Sequence, residues 1–297
     1  MKVISIFGGT GFIGTELVNQ LADMPFKIRL FTRNKDRLIQ LKPNPRLKLV
    51  KFSTKSDLTT ELDKSDVIIN LVGILHETKR IKFSMAHEDF VEKLINSAIK
   101  ENIKRVIHIS ALGVKKNSLS KYLLSKYKGE VIIQNKFKMH NWTILRPSIV
   151  FGPHDKFINL FKKMVRFLPV ILLISPKAEF QPIYINDLVH IIIKSIDDKK
   201  TYKKIFNIGG PKKFTFYEIV KLISFCDKRK NIIIGLNKAL SYFFVRFLQL
   251  SPVKIITIDN LKSMETSNTV DINDSYSFKS SLHELSTYLT NCKNNNL

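Results

Sequence analysis

The chain has 297 residues, 44% of them hydrophobic, which is enough for one large α/β domain with a smaller lobe. Two cysteines, Cys226 and Cys292, exclude a disulfide framework, and seven scattered histidines leave no metal-ligand spacing. The net charge of +24 is carried by dispersed lysines, without the arginine stripe and interleaved aromatics of a nucleic-acid module.

Residues 3–7 form an apolar strand pattern that runs into a turn spaced Gly8-x-x-Gly11-x-x-Gly14, followed by a helical pattern over 13–21. That order brings backbone N–H groups and a helix N-terminus to a dinucleotide pyrophosphate. Gly8 permits the tight turn, Gly11 lets phosphate approach the backbone, and Gly14 lets the helix sit close on the strand. Thr10, Phe12 and Ile13 complete this expected cofactor-binding turn. Further strands are expected at 27–32, 47–52, 66–72 and 105–110. Val91, Leu94, Ile95, Ala98 and Ile99 recur at helical spacing over 88–101. Repeated β-α-β order predicts an α/β fold, a doubly wound parallel (Rossmann) sheet over 1–150, with ligands at the carboxyl ends of its strands.

Beyond residue 150 glycine and proline punctuate a less regular pattern, read as a smaller C-terminal α/β lobe over 151–290 and a frayed tail at 291–297. One strand, 204–208, is expected to return to the main sheet. Asn186 and Asp187 are expected to cap a helix over 188–196. Residues 238–250 place Leu240, Phe243, Phe244, Phe247 and Leu248 on one helical face. Packing on its own lobe is the first reading of that helix, and a membrane-surface or subunit-docking helix is the alternative. His87 and His108 read as packing or hydrogen-bonded residues.

The second strand ends in Thr32-Arg33-Asn34-Lys35 and lacks the carboxylate that would bond the ribose of NAD. Arg33 can instead pair with a 2′-phosphate through two parallel hydrogen bonds, so NADP(H) is preferred over NAD(H); Asp36 lies beyond the basic residues. Tyr122 and Lys126, four apart, stack on one helix face, where an ammonium would lower the phenol pKa. The plain alternative is an ordinary surface helix.

Several further pieces then stand in order: Asn70-Leu-Val-Gly73, Ser110 in His-Ile-Ser-Ala-Leu-Gly, Tyr122-x-x-x-Lys126, and Arg146-Pro-Ser-Ile-Val-Phe-Gly-Pro153. Phe180-Gln-Pro-Ile-Tyr-Ile-Asn-Asp187, Phe206-Asn-Ile-Gly-Gly-Pro211 and Ile256-Thr-Ile-Asp-Asn-Leu261 follow them. Together with the glycine turn they resemble the extended and atypical short-chain dehydrogenase/reductases, which are epimerase/dehydratase-like. The wording is most similar to the branch holding the nucleotide-binding accessory subunit of respiratory complex I and its bacterial relatives.

The resemblance implies that Leu71, Val72, Gly73, Pro147 and Ile149 line the dinucleotide with Arg33 and Lys126. It also implies Tyr122 as proton donor or acceptor, Lys126 as the group that tunes it, and Ser110 as a group orienting a substrate oxygen. Ala111 and Leu112 stand where family members often carry a catalytic hydroxyl. The acidic residue common after strand three is replaced by Lys51-Phe-Ser-Thr54, with Asp57 offset from it.

The expected role is a nucleotide-binding subunit or assembly factor linked to respiratory complex I or quinone synthesis. The alternative is an active NADP-dependent oxidoreductase or sugar-nucleotide epimerase/dehydratase using Tyr122 and Lys126. The charge reads first as drift toward Lys, Ile, Asn and Phe, with an anionic membrane ahead of nucleic acid as a partner. No apolar run of bilayer length and no cleaved signal are read, which places the chain in the cytoplasm, with the inner face of the cytoplasmic membrane as the alternative.

Overall fold

Strand β1 (Val3–Phe7) sends Ile4 and Ile6 to one core and Phe7 to another, as the two-residue period of a strand requires. Around it the computed structural model, which describes residues 1–33, 41, 43–52, 58–249 and 256–294, builds a seven-stranded sheet. In spatial order its strands are β3 (Leu47–Lys51), β2 (Lys27–Thr32), β1, β4 (Val67–Asn70), β5 (Arg105–Ile109), β6 (Asn141–Pro147) and β11 (Lys204–Ile208). Every pairing is parallel.

Helices α1 (Phe12–Leu21) and α6 (Ile185–Asp197) cover one face through Leu17, Leu21, Leu188 and Ile192. The other face is covered by α2 (Leu58–Leu62), α3 (Phe90–Lys100) and α4 (Lys121–Lys136) through Leu62, Phe90, Leu94 and Ile133. Cover on both faces explains why β4 and β5 are buried along their whole length. The chain order reverses between β1 and β4, and that switch point opens the crevice where doubly wound folds bind ligands.

The strands expected from sequence lie within two residues of those observed. The returning strand is β11, which extends the sheet beside β6. Periodicity could not register the π-helical turn Met85–Asp89 that leads into α3.

The smaller lobe packs α5 (Phe157–Phe167) against α7 (Phe216–Cys226) around Phe161 and Phe216. Three two-stranded sheets accompany them. They pair β7 (Val150–Phe151) with β10 (Ile183–Tyr184), β9 (Glu179–Phe180) with β12 (Phe214–Thr215), and β8 (Val170–Leu173) with β13 (Ile232–Gly235). Helices α8 (Lys238–Leu248), α9 (Ile258–Met264) and α10 (Leu285–Asn294) follow. The tail expected to fray is helical to Asn294, and 295–297 lie outside the described residues.

One local expectation is corrected. Helix α6 begins at Ile185 behind Tyr184, so Asn186 and Asp187 sit inside its first turn rather than at its cap. The buried Asp187 carboxylate instead accepts hydrogen bonds from Lys279 Nζ (2.5 Å), His283 N (2.7 Å) and His283 Nδ1 (2.9 Å). Helix α8 packs on its own lobe, as first read: Ser241 and Val245 are buried and Tyr242 and Phe244 pack against the lobe's core, while Leu240, Phe243 and Phe247 are exposed.

Candidate functional site

Register sets the first half of the site. Phe7 pairs with Asn70, so the glycine turn and the loop after β4 leave the sheet side by side. Gly8 has φ +81°, and a Cβ there would stand 2.9 Å from the Leu71 carbonyl carbon. A Cβ on Gly14 would reach 2.3 Å from Gly9 Cα, so this glycine holds α1 against the turn. Gly11 differs: it is exposed, its φ is an ordinary −86°, and a Cβ would meet only Gly8 O, at 3.2 Å. The space over it is open beside a helix N-terminus with no acidic residue in its first turn. That is the cradle a pyrophosphate needs.

The second half is a hydrogen-bonded frame. The Val72 N–H donates to Asn70 Oδ1 (3.0 Å), which leaves Asn70 Nδ2 to donate to His108 Nδ1 (3.1 Å). The proton of His108 therefore sits on Nε2, and burial keeps the imidazole neutral. That Nε2 and the Ser110 hydroxyl are both buried without a hydrogen-bond partner among the described residues. Orphaned groups at the carboxyl end of β5 suit a polar ligand there.

A second histidine ties the β4 loop to α4. The Ile74 N–H donates to His87 Nε2 (3.1 Å), His87 Nδ1–H donates to Ser125 Oγ (2.8 Å), and Ser125 donates to the Tyr122 carbonyl (2.7 Å). Only neutral imidazole serves in this chain, and burial with the nearby Lys126 ammonium pushes its pKa down to about 2. The π-helical turn delivers His87 inward.

Lys126 is buried, donates to Ile109 O (3.0 Å), and lies 3.3 Å from where a Gly73 Cβ would stand. Burial lowers its pKa to about 8 against the opposing pull of Glu130, itself clamped by Arg146 Nε (2.9 Å) and Nη2 (2.5 Å). The Tyr122 ring stands edge-on to His87 and Phe83. Burial raises its phenol to about 12, so the lowering expected from the lysine four residues on is not found.

Pro147 and Ile149 leave β6 on the far side of the crevice. A Cβ on Gly152, just beyond them, would stand 3.6 Å from the Phe12 ring, which closes this loop toward the start of α1. Arg33 is exposed, two residues past Phe31, the partner of Phe7 across the sheet. Asn34, Lys35 and Asp36 lie outside the described residues, as do Ser53, Thr54 and Asp57.

One participant escaped sequence reasoning. Asp259, on α9, accepts from Ser120 Oγ (2.9 Å) and from the N–H groups of Lys121 (2.6 Å) and Tyr122 (3.0 Å), capping α4 from a distant segment. Asn260 Nδ2 donates to Leu75 O (3.0 Å), and Asn268 Oδ1 accepts from Ser148 Oγ (2.6 Å). Thr266 would crowd a Cβ on Gly113 at 3.0 Å. Residues 257–268 therefore form a strap stitched across the carboxyl ends of β4, β5 and β6. Thr257 and Asn260 form a capping box that starts α9 and sets Asp259 in its first turn.

A sequence model described as NAD(P)H-binding matches residues 8–156. The chain is 32% identical over 232 residues to NADH dehydrogenase [ubiquinone] 1 alpha subcomplex subunit 9, mitochondrial, of Arabidopsis thaliana, covering 74% of this chain and 57% of that protein. The Mus musculus protein of the same name is 29% identical over 230 residues, covering 74% and 60%. This chain thus spans about three fifths of the length of these relatives. Among solved structures, UDP-glucuronic acid 4-epimerase from Bacillus cereus superposes with a TM-score of 0.76 at 18% identity, covering 99% of this chain and 98% of that one.

Proposed function

The chain belongs to the NAD(P)H-binding family, as an atypical short-chain dehydrogenase/reductase that binds a nicotinamide dinucleotide, and from that premise we propose that it serves a respiratory NADH–quinone complex as a nucleotide-binding subunit or assembly factor. NADPH is the ligand in this reading. The dinucleotide carries hydride chemistry of its own; this chain's residues hold it. The backbone over Gly11 takes the pyrophosphate, Arg33 the 2′-phosphate, and Lys126 with Ser110 the polar groups at the nicotinamide end.

The observation that supports holding over turnover is the strap. Residues 257–268 lie stitched across the strand ends beside Tyr122, where a substrate would have to enter. The partner reading rests on the likeness to the complex I subunits. Contact with the membrane that carries such a complex belongs to the same proposal. No described helix is long and apolar enough to cross a membrane.

The second reading, an NADP-dependent oxidoreductase or epimerase using Tyr122 and Lys126, is favoured by one observation, the unpartnered Ser110 hydroxyl in the crevice. The test is purification of the tagged chain from its native membranes. The expected result is bound NADPH that survives gel filtration and co-migration with NADH–quinone reductase activity on native gels. Recovery free of that complex, with carbonyl reduction abolished by Tyr122→Phe, would overturn the proposal in favour of the enzyme.

A further inference from the structure

Of the large hydrophobic side chains exposed among the described residues, more than half fall between residues 167 and 247, in the smaller lobe. Four of them lie on the β8–β13 sheet. Val170 pairs with Ile232 and Leu172 with Ile234, and all four side chains are exposed on one face, while Ile171 and Leu173 fill the core behind. Phe167, the last residue of α5, is 81% exposed three residues before Val170, and Ile232 N donates to Pro169 O (2.9 Å).

Charge frames this face. Asn231 Nδ2 donates to Val165 O (2.9 Å) and Leu168 O (2.6 Å), binding the exposed Lys228-Arg229-Lys230 run to the end of α5. Lys163 lies one helical turn before Phe167 on the same side of α5. The acidic neighbour, Asp227, is already paired with Arg166 (2.7 Å).

We propose that the β8–β13 face, with Phe167 and the Lys163/Arg229/Lys230 rim, is a docking surface for an anionic phospholipid bilayer. Aliphatic side chains level with lysine and arginine match the boundary between acyl chains and anionic headgroups. Nucleic acid offers nothing to bury four aliphatic side chains against. A second copy would bring the same basic rim against itself, on a chain already at +24. The proposal extends the membrane contact of the functional reading to a defined surface. It does not depend on the nucleotide site.

The test is flotation of the full chain with vesicles of phosphatidylcholine alone or mixed with phosphatidylserine, with NADPH titration in parallel. The wild type should float with the anionic vesicles, release on raising the salt, and ignore the neutral ones. Lys163→Glu/Arg229→Glu/Lys230→Glu and, separately, Phe167→Ser/Ile232→Thr/Ile234→Thr should each weaken binding at least about tenfold. Both should keep wild-type NADPH affinity and a wild-type melting curve. Three outcomes would overturn the proposal: a folded wild type that ignores anionic vesicles, flotation insensitive to both variants, or concentration-dependent dimers abolished by the apolar variant. Loss of NADPH binding alone, with flotation intact, would count against the nucleotide reading and leave this surface standing.

Discussion

Two glycines of one motif should fail in opposite ways. Gly11→Val keeps a backbone conformation that valine tolerates and meets only Gly8 O at 3.2 Å. Replacing glycine at an N-cap with a branched residue costs about 1 kcal/mol of stability. Its main effect falls on the ligand, because the new side chain fills the space over the helix N-terminus. Losing two charge-assisted hydrogen bonds to phosphate, each about 1.5–3 kcal/mol, gives at least about 3 kcal/mol, or roughly a hundredfold in affinity. Gly14→Ala instead drives a methyl to 2.3 Å from Gly9 Cα, where only backbone can yield. It should cost about 1–3 kcal/mol of stability or more. Calorimetric titration of NADPH and urea unfolding of both variants separate the effects. A folded Gly11→Val protein that binds NADPH like wild type refutes the placement of the pyrophosphate. An unchanged urea midpoint in Gly14→Ala refutes the packing argument.

On the proposed pairing of Arg33 with a 2′-phosphate, Arg33→Asp removes two hydrogen bonds and adds repulsion, so preference should move from NADPH toward NADH by at least about tenfold; equal affinities in wild type would sink the assignment. Asp259→Ala removes three acceptor contacts from the start of α4 and should lower stability by about 1–3 kcal/mol, read by thermal unfolding, with the α4 amides gaining hydrogen exchange. Acid should destabilise the fold through its histidines. His87 is held near 2 and His108 well below the usual 6.5, so below about pH 6.5 the unfolded chain binds more protons and stability falls by up to about 1.4 kcal/mol per unit for each. His87→Gln should make urea midpoints between about pH 7 and about pH 5 less steep; an unchanged slope contradicts a buried neutral imidazole.

Strands β1, β4 and β5 were legible because they are short apolar runs between glycine or charged punctuation, and burial on both faces leaves that pattern undisturbed. The glycine turn was legible because its spacing and its flanks agree. The frame behind it was not. Asn70, His87, His108 and Ser125 are separated by 17 to 55 positions, and nothing local marks them as partners. His87 depends on a π-helical turn, which has no periodic signature. The cap on α4 comes from Asp259, more than a hundred residues away. Asn186 and Asp187 misled for the converse reason: they have the residue types of a cap, but Lys279 and His283 claim the carboxylate.

Binding and proton transfer make different demands on Tyr122 and Lys126. A relay through Tyr122 needs its phenolate within reach near neutral pH. With the phenol raised to about 12, forming that anion at about pH 7 costs roughly 7 kcal/mol, against roughly 4 kcal/mol for an unperturbed tyrosine. The group able to offset that cost is the Lys126 ammonium, but it donates to Ile109 O (3.0 Å). Neutral His87 and His108 supply no further positive charge. A resident dinucleotide needs none of this. It needs an open backbone over Gly11, a donor in the crevice, and a frame that keeps the β4 loop against α4, and each of these stands in the fold before any ligand arrives. Dinucleotide binding without turnover dependent on Tyr122 is therefore the expected outcome, and a Tyr122→Phe protein should retain its nucleotide affinity unchanged.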